Sequence, residues 1–283
     1  MTKINICGVP EHFNLPWQLC LNNGDFDKET LDVNWSNIPE GTGKMCQMLR
    51  DGETDVAVIL TEGIIKDIAF GNPSKIVQMY VESPLVWGIH VDANSNFYNI
   101  ANLEYQKIAI SRLGSGSHLM AIVHANNLNW NVDALKFEII NTIDGAVKAL
   151  SEKNADYFMW EKLMTKPLVD NGVFRRIGEC PTPWPSFVIA VSNSFLEKNA
   201  AAIKTMLAVI NKKTKSFKSI EGIENTISSA FSLNINDVKL WLKDTAWSQK
   251  QLSAEMLNKV QNQLFTIKLI DKKVTFAHAI ATL

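Results

Sequence analysis

One interval recurs at two distant places in this chain and limits how it can fold. Leu49 and Asp55 stand six residues apart across a helix stop, and so do Leu150 and Asp156. In both places a helical run ends in a tight turn, an aspartate follows, then a hydrophobic strand and a polar loop. The first of these strands, 55–60, is almost continuously apolar, as strands covered on both faces of a parallel sheet are. A chain of 283 residues is long enough for two compact lobes or one large one. Repetition of the joint, with elements in similar order around it, predicts two lobes of like α/β construction.

Taken in order, Ile4, Ile6 and Val9 mark a first strand that stops at Pro10. Asn14 is placed to cap, and Pro16 to enter the first turn of, a helix running to about Asn22. A helix over 43–50 ends at Gly52, the strand 55–60 follows, and Thr61-Glu62-Gly63 opens another helix. Strands at 76–81 and 85–91 complete the first unit. The second runs through a strand at Ile108, a Gly-Ser loop, a helix, a strand at 136–140, a helix at 145–151 and a strand at 155–159. A further strand at 187–191 leads into four amphipathic helices, carried by Leu196 to Ile210, Ile223 to Phe231, Val238 to Leu242 and Met256 to Ile267. Four helices without strands cannot form a third sheet, so they are expected on the first lobe. The expected division is 1–91 with 187–283 as lobe 1, 104–182 as an inserted lobe 2, and linkers at 92–103 and 183–186.

Charge excludes some partners. The net charge is −1 with Lys and Arg scattered, which leaves no footprint for nucleic acid or an anionic membrane. The Lys212, Lys213, Lys215 and Lys218 cluster reads as a solvated helix end. The four cysteines lack Cys-x-x-Cys pairing and read as reduced, mostly buried thiols. No apolar run is long enough to insert in a membrane, and the N-terminus already reads as a strand. As it stands the sequence is expected in the cytoplasm, or in the periplasm if a signal peptide has been removed.

Ligands of open α/β sheets lie beyond the carboxyl ends of the strands. The loops to inspect are therefore those carrying His12, Phe13 and Asn14; Thr61 and Glu62; Ser83; Gly114, Ser115, Gly116, Ser117 and His118; Trp160 and Glu161; and Trp184. Their rings, hydroxyls and two carboxylates suit a polar molecule with a flat or cationic part. Gly114-Ser-Gly-Ser-His118 joins a β-branched strand to a helix, so main-chain N–H groups and hydroxyls there can meet a ligand. It is neither a dinucleotide fingerprint nor a P-loop, and no cofactor is implied. Trp35, Trp130, Trp241 and Trp247 fall away from these loops in sequence and are expected in the core.

Catalysis is harder to assemble. Ser115 and Ser117 beside His118 lack the Gly-x-Ser-x-Gly elbow, and Cys180 has no histidine nearby in sequence. His12, His118 and Glu62 lack metal-ligand spacing, and no metal is expected. Lys66 and Lys162 are the nearest candidates for a Schiff base, and both read as solvated helix positions.

The order of elements, the Gly114–His118 loop opening the second lobe and the strand at 187–191 returning to a helical tail resemble a type II periplasmic binding protein. The chain is similar to the group holding sulfonate-, taurine- and nitrate-binding components and the thiamine-pyrimidine-precursor binding proteins. The runs Gly8-Val-Pro-Glu-His-Phe-Asn-Leu-Pro-Trp17 and Arg175-Arg-Ile-Gly-Glu-Cys-Pro-Thr-Pro-Trp-Pro185 resemble a bacterial and fungal branch of substrate-binding-like proteins that lack signal peptides. The resemblance implies two lobes, each a mixed sheet flanked by helices, with a helical C-terminal tail on the first. It also implies hinge closure on a polar or heteroaromatic ligand and, as partner, an ABC-transporter permease. The contacts it implies are His12, Phe13, Asn14, Thr61, Glu62, Ser115, Gly116, Ser117, Trp160 and Glu161. An enzyme of the pyrimidine-synthase type is the alternative, and its Cys-Cys-Cys-Phe-Cys motif is missing.

Overall fold

The computed structural model describes residues 1–283. The chain separates into two compact units, Met1–Ser83 with Trp184–Leu283, and Pro84–Pro183. In the first unit β1 (Thr2–Gly8), α1 (Leu15–Asn22), β2 (Leu31–Asn37), α2 (Thr42–Asp51), β3 (Val56–Leu60), α3 (Thr61–Ala69) and β4 (Ser74–Val81) follow one another. The second holds β5 (Val86–Asp92), β6 (Lys107–Ile110), α4 (Gly116–Asn127), β7 (Lys136–Ile139), α5 (Ile143–Ser151), β8 (Tyr157–Glu161), α6 (Lys166–Asp170) and β9 (Phe174–Pro181). The chain returns to the first unit through β10 (Phe187–Ser192) and ends in α7 (Asn193–Ser216), α8 (Ile223–Phe231), α9 (Ile235–Asp244), α10 (Ala254–Thr266) and α11 (Phe276–Ala279).

The two sheets share one plan. Strand order is β2-β1-β3-β10-β4 in the first and β7-β6-β8-β5-β9 in the second. In each, the first three strands are parallel and the fourth runs antiparallel to both neighbours. The repeated aspartate has one task in both. Asp55 Oδ2 accepts from the Asn5 N–H, and Asp156 Oδ2 accepts from the Lys107 N–H, each at 2.8 Å. Asp55 and Asp156 in turn donate their own N–H groups to the Asn5 and Lys107 carbonyls. Each carboxylate thus fastens the strand it opens to the early residues of its parallel neighbour, where a buried N–H would otherwise lack a partner.

The expected lobe border needs correction. Residues 84–91 do not belong to lobe 1, nor 92–103 to a linker: β5 pairs with β8 and β9, and the whole segment lies in the second unit. Apolar alternation shows that Val86–Asp92 is a strand without showing which sheet adds it; that depends on pairing partners far away in sequence. Two strands, β2 and β9, are not among the elements expected from the sequence. Both are edge strands; β2 does alternate Leu31, Val33 and Trp35 with polar residues, a legible strand signal, whereas the charged Arg175, Arg176 and Glu179 break the pattern in β9.

In the first unit Ile4, Ile6, Val56 to Ile59 and Val188 to Val191 are buried in the sheet, beneath Ile64, Ile65 and Ile68 of α3 and Ile203, Met206 and Ile210 of α7. The free edge of β4 is covered by the tail: the Met79 N–H donates to Lys250 O, the Ser248 N–H to Tyr80 O and the Ala281 N–H to Ile76 O. In the second unit Phe158, Phe174 and Leu150 centre a cluster with the small residues Ala109, Ala146 and Ala149. No helix is long and apolar enough to cross a membrane.

Candidate functional site

In the first unit β1 and β3 are parallel neighbours, so the loops that leave them emerge at the same edge of the sheet. The loop after β1 makes a short 3₁₀ turn, His12–Asn14. Gly8 permits this geometry, since a Cβ there would meet the Trp35 ring at 2.6 Å and Asn14 Nδ2 at 2.9 Å. Asn14 does not cap α1 with its side chain as its position suggested. Its amide reaches back to donate to Val9 O at 2.9 Å, which holds the loop shut and leaves Oδ1 without a partner. The Phe13 carbonyl accepts from Tyr80 Oη at 2.8 Å and from Trp247 Nε1 at 3.3 Å.

Aromatic rings surround the turn. His12 lies 4.3 Å from Trp241 and 4.5 Å from Phe13, centroid to centroid, and Phe13 lies 5.0 Å from Phe187 and 5.2 Å from Trp241. Burial holds the imidazole neutral, its pKa lowered to about 3. Neither of its ring nitrogens has a hydrogen-bond partner. Trp241 and Trp247, which the sequence placed away from the loops, therefore belong here. Only the return of α9 and the segment after it onto the first sheet brings them in, and no local pattern reports that.

The turn after β3 supplies Thr61 and Glu62, both fully buried. The Thr61 N–H donates to Ser186 O at 3.1 Å, while its hydroxyl is unpartnered. Glu62 Oε2 accepts from Trp184 Nε1 at 2.7 Å, and Oε1 has no partner. Desolvation raises the Glu62 pKa to about 7, against the lowering effect of its own backbone N–H and of the Trp184 indole. Ser83 is bonded within the fold, its carbonyl accepting from Ser186 Oγ and its hydroxyl from the Ala246 N–H.

In the second unit, the strand–loop–helix reading of the Gly-Ser stretch agrees with the structure, with Gly114 in the left-handed region at φ 80°. Ser115 caps α4, its Oγ accepting from the His118 N–H and donating to Arg112 O. Ser117 Oγ accepts from the Ser111 N–H at 2.9 Å. The hydroxyls expected to meet a ligand are thus bonded inside the turn, and the main chain at Gly116 and Ser117 is what this loop can offer. His118 Nδ1 accepts from the Gly114 N–H, and its ring meets Phe137 edge-on at 4.8 Å. Trp160 stacks on Phe158 at 5.4 Å against the α5 cluster. Glu161 Oε2 accepts from the Met164 N–H at 2.7 Å, so this carboxyl, also raised by burial to about 7, braces the turn after β8.

All four cysteines are buried and unbridged, and desolvation pushes Cys7 and Cys20 up to about 12 and Cys180 to about 11. Lys162 pairs with Glu179 at 2.8 Å. No three His, Cys, Asp or Glu side chains are grouped to hold a metal.

Two like sheets, each with loops of this kind at the carboxyl ends of its parallel strands, are the periplasmic-binding-protein fold. Solved structures agree. The Candida albicans CA3427 gene product, described as having the generic periplasmic binding protein fold, matches over 100% of this chain and 97% of its own, with a TM-score of 0.91 and 24% identity. The alkanesulfonate-binding protein SsuA of Xanthomonas axonopodis pv. citri, bound to MOPS, matches over 100% and 99% with a TM-score of 0.84 and 15% identity. The nitrate-binding protein NrtA of Synechocystis PCC 6803 matches over 96% and 83% with a TM-score of 0.71 and 14% identity. A family model described as Ca3427-like PBP matches residues 87–180, nearly the whole of the second unit. No curated protein sequence matches.

Proposed function

We propose that this chain is a small-molecule binding protein whose ligand is polar or heteroaromatic, with contacts drawn from the loops after β1 and β3 in the first unit. One observation carries this reading. His12 Nδ1 and Nε2, Thr61 Oγ1 and Glu62 Oε1 are all buried, all without partners, and all on two loops at one edge of the first sheet. A buried polar atom left unpaired costs about 1–3 kcal/mol, so four together are a considerable burden unless a bound molecule satisfies them. The fold supports the same reading, since its neighbours include proteins that bind sulfonates and nitrate.

Native mass spectrometry of freshly purified protein tests it. A bound species of small mass, lost on denaturation and displaced in the His12→Ala or Glu62→Gln variant, is the expected result. A bare mass from every preparation, together with no shift in melting temperature across a broad panel of polar and heteroaromatic metabolites, would overturn it.

A further inference from the structure

We propose that the site in the first unit selects a planar cationic or donor-rich head group, such as an amidine, a guanidine or an aminoheterocycle, and rejects oxyanions, with Glu62 as the residue that discriminates. This rests on the ligand-binding reading above and names the ligand class for it.

The hydrogen-bonding inventory points this way. Two of the unpartnered buried atoms, Glu62 Oε1 and Asn14 Oδ1, lie on an acid and on an amide oxygen, and each needs a donor once Glu62 is ionised. Thr61 and neutral His12 can each donate or accept. Neither loop carries the lysine or arginine with which oxyanions are usually held, for residues 9–14 and 61–63 contain none. The start of α3 is partly engaged from within and carries an acid of its own. The Thr61 N–H donates to Ser186 O, and the Glu62 carboxylate itself lies in the first turn of α3, where its charge opposes that of a bound anion.

Lys66, one turn further along α3, makes no ion pair with Glu62, and no charged group on the neighbouring elements neutralises it. Arg50 of α2 pairs with Asp67 of α3, Lys44 of α2 pairs with Glu53, and Glu255 and Lys259 of α10 are exposed. Cys46 of α2 points its thiol to Gly63 O, and no cation pairs with Glu62. A carboxyl buried with no counter-charge, on a loop that leaves the same edge of the sheet as the aromatic turn of His12, Phe13 and Trp241, is the setting in which a flat cation gains both an ion pair and π faces.

Benzamidine and benzenesulfonate share a ring and differ in the sign of the head group, so calorimetric titration of the full chain with each separates the alternatives. Benzamidine is expected to bind about ten- to a hundredfold more tightly than benzenesulfonate at pH 8, and Glu62→Gln is expected to remove most of that preference. Equal or stronger binding of benzenesulfonate would overturn the ligand class and leave the ligand-binding reading standing. So would an unchanged preference in a folded Glu62→Gln protein, its fold checked by melting temperature. Failure of both probes, with no copurifying molecule, would overturn the ligand class and the binding reading together.

Discussion

Glu62 should impose a pH dependence on stability that its replacement by glutamine abolishes. In the unfolded chain this carboxyl ionises near its ordinary value of 4.5, whereas burial in the folded protein raises it to about 7. Between those two values the folded state therefore holds the proton that the unfolded state has released, and stability falls as pH rises. The stabilising contribution is complete below about pH 4.5 and lost by about pH 7, a change of about 3 kcal/mol. His12 acts in the opposite sense, because its lowered pKa favours the folded state as pH rises toward 6.5. Glu161 repeats the Glu62 effect. Comparison of wild type with Glu62→Gln cancels these common contributions and isolates the one carboxyl. Urea unfolding of both proteins, followed by tryptophan fluorescence at pH 4.5, 6 and 8, should show Glu62→Gln gaining relative to wild type by about 3 kcal/mol from the lowest pH to the highest. A difference that stays constant across this range would refute the assignment of Glu62 as a buried carboxyl without a counter-charge.

Other expectations follow from single contacts. Asp55→Ala and Asp156→Ala each strip the partner from a strand N–H and should each cost about 1–2 kcal/mol in urea unfolding; a loss at only one position would show that the two joints are not equivalent. Ser117→Ala leaves the buried Ser111 N–H unsatisfied and should lower stability by about 1–3 kcal/mol, whereas unchanged melting would mean that this hydroxyl is not part of the turn. Gly145→Ala would drive a Cβ into the Ile140 carbonyl, so α5 must shift; a melting temperature equal to wild type would contradict that packing.

Much of the architecture was legible because it is written in local spacing. The joint at Leu49–Asp55 and Leu150–Asp156, the stop at Gly52, the strand–turn–helix at Gly114–Ser117 and the four tail helices depend on residues within a turn or two of one another. Hydrophobic period and backbone preference act over that range, so the sequence by itself determined these elements and the likeness of the two sheets. His12, Thr61 and Glu62 were legible as candidates for a related reason, since they follow parallel strands. What only the tertiary structure decided is which distant groups meet. β5 joins the second sheet and β10 the first, although both are short apolar runs of the same kind. Trp241 reaches His12 from more than two hundred residues away, and Trp184 bonds one oxygen of Glu62 while the other stays open. The hydroxyls of Ser115 and Ser117 turn inward for the same reason. Hydrogen bonds and ring contacts are settled by which surfaces pack together, and burial, which holds His12 neutral and raises Glu62, exists only once they have.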